Sequence, residues 1–262
     1  MKSKTLRFVA STGLAALLGG VAVWAQSSLG TAQSFAVLGG STVTNTGASV
    51  LTGDLGVSPG SAITGFPPGT RTGTTHAADA AAAQGQSDVT TQYNALASVA
   101  CTADLTGQDL GGKTLTPGVY CFSTSAQLTG PLTLNAQGNA SATFIFKIGS
   151  TLTTASGSSV TLSNGGNACG VAWQVGTSAT LGTTTSFIGN LIALSSITLN
   201  TGANIVGRAL ARNGAVTLDT NNISSASCAL APAVPTLAAW AMIALTGLLA
   251  LAGFAALRRR AV

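Results

Sequence analysis

Glutamate is absent from this chain, and charged residues make up only 6% of its 262 residues. Ordinary soluble domains carry about 25%. Histidine occurs once, so any Ser-His-Asp arrangement would have to use His76, and no Gly-x-Ser-x-Gly elbow precedes a helix. The six acids (Asp54, Asp79, Asp88, Asp104, Asp109, Asp219) are scattered, with no obvious carboxylate pair. These absences point away from an enzyme. No Cys-x-x-Cys pair occurs, which argues against a zinc site, and no cofactor is expected. Disorder is excluded because 46% of the chain is hydrophobic. Collagen is excluded because its 33 glycines show no three-residue period.

The net charge of +5 resides at the ends. Lys2, Lys4 and Arg7 open the chain, and Arg258, Arg259 and Arg260 nearly close it. Between them only Arg71, Lys113, Lys147, Arg208 and Arg212 oppose the six aspartates. Nucleic-acid binding needs clustered bases to neutralise phosphates, and these are few and dispersed.

Residues 1–25 read as a secretory signal peptide: a basic start, an apolar Phe8–Val23 stretch, and Val23-Trp24-Ala25 before Gln26. An N-terminal membrane anchor is the alternative. At the other end, 232–262 reads as a sorting tail. Leu237–Leu257 is uncharged and long enough to span a bilayer, and the basic cluster Arg258–Arg260 follows at once. The order Val234-Pro235-Thr236-Leu237, apolar helix, arginines resembles bacterial C-terminal sorting signals that begin Ile/Val-Pro-Thr-Leu. That resemblance implies sorting and processing machinery at the membrane as a partner. A permanent single-span anchor is the alternative. Either way the chain is expected to be exported to the cell surface or exterior, with membrane anchoring through the C-terminal helix as the form it takes where the tail is kept.

Four cysteines suit an exported chain and suggest two disulfides. Of the three pairings, sequence proximity favours Cys101–Cys121 and Cys169–Cys228.

Residues 26–231 form the remaining domain, and internal repetition dominates it. From Val119 onward short strands recur in three interleaved stacks, with Gly, Ser and Asn corners. In the second stack Leu128, Leu152, Leu181, Leu199 and Leu218 are expected to point one way and Thr129, Thr153, Thr180 and Thr198 the other. Each turn can bury its apolar row only by stacking on its neighbours, which is a solenoid. Phe35–Leu55 repeats the three-part pattern and suits an N-terminal coil. Thr74–Ala100 breaks it; Ala78, Ala82, Val89, Tyr93 and Leu96 fall close to helical spacing, predicting one long helix along the solenoid, with Gly85 permitting close approach. Trp173 is assigned to the core.

Ser34-Phe35-Ala36-Val37-Leu38-Gly39-Gly40, Gly53–Gly60 (GDLGVSPG), Leu115–Tyr120 (LTPGVY), Thr198–Ala203 (TLNTGA) and Gly207–Ala211 (GRALA) together resemble the bacterial and fungal ice-binding-like (antifreeze) β-solenoid family. The resemblance covers about Gln33–Cys228. It implies a mainly β fold, a right-handed discontinuous β-solenoid of triangular cross-section with one α-helix alongside. It also implies an ice crystal surface as partner of one flat face, on a monomeric domain. Family faces often carry Thr-Ala/Gly-x-Thr/Asn on successive coils. Thr201-Gly202-Ala203-Asn204 matches, Thr46-Gly47-Ala48-Ser49 nearly so, and Thr154, Thr183, Thr185 and Thr220 belong to weaker copies. These eight residues, Thr46, Ser49, Thr154, Thr183, Thr185, Thr201, Asn204 and Thr220, are the candidate ice-binding set. The outward threonines Thr44, Thr153, Thr180, Thr198 and Thr217 suggest a second or overlapping face. The competing reading is a surface adhesin or matrix scaffold without ice activity.

Overall fold

The computed structural model describes residues 29–225. Two parallel sheets, of fifteen and seven strands, wrap three faces of a solenoid. The larger sheet covers two faces: face a, with Phe35–Gly39, Asp54–Val57, Gly118–Phe122, Phe144–Ile148 and Val171–Val175, and face c, with Val50–Thr52, Pro131–Asn135, Ser159–Ser163 and Asn222–Ser224; strands Ser186–Ala193 and Asn204–Ala211 run round the corner between them. The turning points are Gly189 and Gly207, paired in register with φ of 116° and 146°. That backbone region is essentially reserved for glycine. A Cβ on Gly207 would run into the carbonyl oxygen of Gly189.

The smaller sheet is face b. Its order is Ala126–Leu128, Leu152–Thr154, Ala179–Leu181, Ile197–Leu199, Val216–Asp219, Thr42–Thr46, Ala62–Thr64. This order shows the discontinuity. The N-terminal coil, Phe35–Gly39 with Thr42–Thr46 and Val50–Thr52, stacks on the last coil, Asn204–Ala211 with Val216–Asp219 and Asn222–Ser224. The chain then adds Asp54–Val57, Ala62–Thr64 and Thr70–Arg71 outside it and ends that run at Thr75–Ala77. Growth resumes at the opposite end, with Ala103–Asp104 beside Gly118–Phe122.

The helix Ala80–Ser98 makes the return journey. Nineteen residues span about 28 Å, enough to pass about six strands spaced about 4.8 Å apart. Asp79 caps its start by accepting from the Ala82 N–H at 2.9 Å. The helix is shorter than the expected 74–100. Thr75–Ala77 is instead a strand of face a, paired with Leu55–Val57. The buried helix residues Ala82, Gly85, Val89, Gln92, Tyr93 and Leu96 form one stripe. Phe35, Leu38, Ala172, Ile192 and Leu210 of face a meet it in a second apolar cluster. A Cβ on Gly85 would press on Phe35 and Leu38, so glycine sets how closely the helix lies.

The main core runs down the solenoid axis. Phe146 stacks on Trp173 with ring centroids 3.8 Å apart, and Phe187 lies 4.8 Å beyond. Trp173 is fully buried and its indole N–H donates to the Ile188 carbonyl at 3.0 Å, so its polar atom is satisfied in place.

The Cys101–Cys121 bond is present. It ties the segment leaving the helix to face a. Cys169 lies in the turn Ala168–Gly170, and Cys228 lies outside the described residues. The expected signal peptide, sorting motif (Val234, Pro235, Thr236, Leu237), span 237–257 and Arg258–Arg260 also lie outside them. Among the described residues no helix is long and apolar enough to cross a membrane.

Candidate ice-binding face

Face b is built by period-two alternation. Its strands read buried–exposed–buried at Ala126–Leu128 and Leu152–Thr154, and buried–intermediate–buried at Ala179–Leu181 and Ile197–Leu199. Because side chains alternate across a strand, the middle residue of each faces outward. Register aligns these residues. Gln127 pairs with Thr153, Thr153 with Thr180, Thr180 with Thr198, Thr198 with Thr217, Thr217 with Thr44, and Thr44 with Thr64. Six threonines therefore stand in one column on successive coils. Beside them, the Thr151 hydroxyl donates to Ser125 at 2.8 Å, and Thr42 pairs with Ala62.

The inward leucines are buried as expected, but they do not form one row. Leu128 pairs with Thr154, whereas Leu152 pairs with Ala126 and Ala179.

That shift decides the fate of three candidates. Thr154, Thr185 and Ser49 are 3%, 0% and 0% exposed, so they cannot touch an ice surface. They line the inner corner between faces b and c. The Thr154 and Thr185 hydroxyls are 2.8 Å apart, and Thr154 also accepts from the Gly182 N–H at 2.8 Å. Ser49 accepts from the Asn221 N–H at 2.9 Å. Asn221 in turn donates to the Asn200 and Ala203 carbonyls. These hydroxyls and amides satisfy backbone groups where the chain turns inside the solenoid.

Thr46, Thr183, Thr201, Asn204 and Thr220 are exposed along the outer b/c edge. Asn204 pairs with Ser186, and Ser186 with Ser159. The counterpart of Asn204 one coil earlier is thus Ser186, not Thr185; in the next coil it is Asn222, and in the coil beyond that Val50, not Ser49. Corner lengths differ between coils, and spacing within the sequence alone does not reveal which residue occupies the outer position. Sequence reading does not single out Ser159, Ser186 or Asn222 for that reason. An alternating Ala62-Ile63-Thr64 triplet was the available signal for Thr64.

One carboxylate borders the face. Asp219 accepts from the Thr201 hydroxyl at 2.5 Å and from the Thr220 hydroxyl at 3.1 Å. Both hydroxyl protons are thereby turned toward Asp219. At one end Asp109 accepts from the Thr129 N–H and hydroxyl. Burial alone would raise the Asp109 carboxyl, but backbone bonding from Gly111 and hydroxyl and backbone bonding from Thr129 together outweigh it and hold the group below its usual range.

His76 sits away from this face. Its Nδ1 lies 2.8 Å from Asp79, the helix cap, and its ring packs edge-on to Phe35. Among the described residues no three His, Cys, Asp or Glu side chains gather as a metal site would require.

Comparison with known proteins agrees with this architecture. Residues 37–224 match the Ice-binding-like family, and residues 232–260 match the IPTL-CTERM motif. An ice-binding protein of Nostoc sp. (strain HG1) is 63% identical over 201 residues, covering 76% of this chain and 74% of that protein. The crystal structure of an ice-binding protein from an Antarctic biological consortium superposes with a TM-score of 0.74 at 46% identity, covering 85% of this chain and 96% of that one. One from the Antarctic ascomycete Antarctomyces psychrotrophicus gives a TM-score of 0.74 at 43% identity over 76% of this chain and 97% of that one. With a β-solenoid, a discontinuous coil order, a helix alongside and a family match over most of its length, this chain belongs to the ice-binding family.

Proposed function

We propose that the protein adsorbs to ice through face b and its b/c edge. The observation that carries this reading is the registered column Thr153, Thr180, Thr198, Thr217, Thr44 and Thr64. Strand spacing fixes its repeat at about 4.8 Å in one direction and the two-residue strand repeat at about 7 Å in the other. Threonine is stiff at χ1, so methyls and hydroxyls hold a two-dimensional array without ordering cost at the moment of binding. Waters trapped in such an array match a growing crystal plane and freeze onto it. Thr46, Thr183, Thr201, Thr220 and Asn204 extend the same surface round the edge. Asp219 is already occupied by two threonine hydroxyls, which limits the water it can order around its charge.

The reading makes the protein a non-catalytic, exported domain that acts as a monomer. Its working element is a surface rather than a cleft. The C-terminal motif supports export to the cell surface. The decisive experiment measures thermal hysteresis and ice recrystallisation inhibition of the exported protein beside a Thr198→Tyr variant. Activity that the variant loses, with its melting curve unchanged, supports face b. A folded protein with no activity refutes the function, and a fully active variant refutes the face.

A further inference from the structure

Phe146 and Trp173 point to the solenoid axis, so alternation turns their neighbours Lys147 and Gln174 to the outside of face a. Register sets Gln174 beside Lys147, Lys147 beside Cys121, and Cys121 beside Asp104. This row lines a groove of about 550 Å³ between Tyr93 of the helix and the edge where face a gives way to face b. Gly149 and Gly176 keep that edge open. A Cβ on Gly176 would run into the Gly149 carbonyl oxygen, and one on Gly149 into that of Ser123. Packing thus requires glycine at both positions, and the missing side chains leave bare backbone on the rim.

Two side chains in the groove have unused bonding capacity. Gln174 is only 7% exposed, yet its amide makes no hydrogen bond among the described residues. A buried amide without a partner costs stability and calls for a reason. Lys147 is half-buried and donates to the Val99 carbonyl at the end of the helix, at 2.6 Å. An ammonium has three donors, so this leaves others to spend. No carboxylate neutralises it, since among the described residues only His76 and Asp79 form an ion pair. A second cation stands nearby, the Arg212 guanidinium lying 4.7 Å from the centre of the Tyr93 ring.

We infer that this groove is a binding site for a hydroxylated organic carboxylate of the sugar-acid class. The ligand carboxylate accepts from the Lys147 ammonium and the Gln174 amide, which adjacent strands hold about 4.8 Å apart. Hydrogen bonds between ionised partners are the strong ones. The far end of the groove selects hydroxyls. Asp104 lies two strand spacings from Lys147, about 10 Å. The Thr106 N–H and hydroxyl both donate to Asp104 Oδ1, which leaves Oδ2 to accept from a ligand hydroxyl. Ser123 lines the same end. An inorganic anion would meet the Asp104 charge with nothing to offer it, and a fatty acid would lay its tail against polar groups. A sugar ring with a carboxylate on one side and hydroxyls on the other satisfies both ends. The volume lies within the usual range for small-molecule sites. The inference goes beyond ice adsorption and does not depend on it, because the groove opens on face a and the threonine column stands on face b.

The test titrates the full exported protein with sodium glucuronate by calorimetry, beside glucose and acetate. Glucuronate should bind saturably in the millimolar range, several-fold more tightly than glucose, which lacks the carboxylate, or acetate, which lacks the hydroxyls. Gln174→Met fills the same space without an amide. It should weaken glucuronate binding several-fold while melting at the wild-type temperature or above. Lys147→Gln keeps a donor for Val99 and removes the charge, and it should weaken glucuronate binding as well. Absence of saturable binding, or equal binding by wild type and Gln174→Met, overturns the site. Equal affinity for glucose and glucuronate overturns the carboxylate assignment. A lower melting temperature for Gln174→Met shows that the amide is structural and overturns its role in the site. An immobilised polyuronate separates the two sources of this chemistry. Retention that Gln174→Met loses assigns the ligand to an acidic polysaccharide, and glucuronate binding without retention assigns it to the free acid; either result supports the site.

Discussion

Thr44 and Thr217 stand side by side on face b, the Thr44 hydroxyl donating to that of Thr217 at 3.4 Å although 173 positions separate them. Their pairing joins the N-terminal coil to the last coil and makes the threonine column continuous across the break in chain order. If the column acts as one surface, a bulky residue at the junction should damage it as much as one in the middle. Thr217→Tyr and Thr198→Tyr are each expected to remove most thermal hysteresis. Thr201→Tyr, on the edge, should reduce it less. All three should melt within about 1 kcal/mol of wild type, since exposed substitutions away from special features change stability little. Equal activity of Thr217→Tyr and wild type would show that the two halves do not act together.

The buried corner hydroxyls make the opposite prediction. Thr154→Val keeps the shape but leaves the Gly182 N–H and the Thr185 hydroxyl short of a partner. Leaving a buried polar group unsatisfied costs about 1–3 kcal/mol. Urea unfolding should show that loss, while activity per folded molecule stays at the wild-type level. A fall in activity without a fall in stability would return Thr154 to the ice-binding surface.

This contrast shows where the sequence was readable. Alternation of Leu and Thr placed Leu181 and Leu199 inside and Thr180 and Thr198 outside, because strand periodicity is local. The three-part repeat likewise separated the stacks, and Gly85 marked the close helix approach. Corners obey no such period. Thr183-Thr184-Thr185-Ser186 offers four hydroxyls in a row, and only its pairing with Asn204 shows that Ser186 is outward and Thr185 inward. Coil order was hidden for a different reason. Contact between Val37 and Ala209 depends on the helix carrying the chain from one end of the solenoid to the other, and no short window of sequence holds that information.

The bend from face c to face a should be intolerant of any side chain. Gly207→Ala puts a methyl against the Gly189 carbonyl and forces alanine to φ near 146°. The backbone conformation alone costs about 1–3 kcal/mol, and the clash adds to it. A large drop in melting temperature is expected, against little change for Gly157→Ala beyond its own turn strain, because a Cβ there meets nothing within 4 Å. Similar melting temperatures for the two variants would mean that the bend relaxes easily.

Reduction should loosen the start of the second run of coils. The Cys101–Cys121 bond closes a loop with a sequence separation of 20, for which chain entropy predicts about 3 kcal/mol. Reductant, or Cys101→Ser with Cys121→Ser, is therefore expected to lower the melting temperature. Hydrogen exchange should rise first near Ala103–Asp104 and the end of the helix. An unchanged melting temperature would show that helix packing alone holds this end.

Acid should attack the helix from its other end. Asp79 is held below the usual carboxylate range by the Ala82 N–H and then by His76, and Asp88 chiefly by the Thr31 hydroxyl. A carboxyl whose pKa is lower in the folded state binds fewer protons there than in the unfolded chain. Its contribution is complete above the unfolded value near 3.9 and disappears as pH falls through the folded one. Stability should therefore decline below about pH 4. Asp88→Asn should lower stability at neutral pH, because Thr31 loses a charged acceptor for both its N–H and its hydroxyl. It should also flatten the acid decline, since one of the groups that drives it no longer titrates. Melting curves from about pH 2 to pH 7 for both proteins separate the two effects. Parallel curves would place the acid sensitivity on other carboxylates, with Asp104, held down by Thr106, the next to replace.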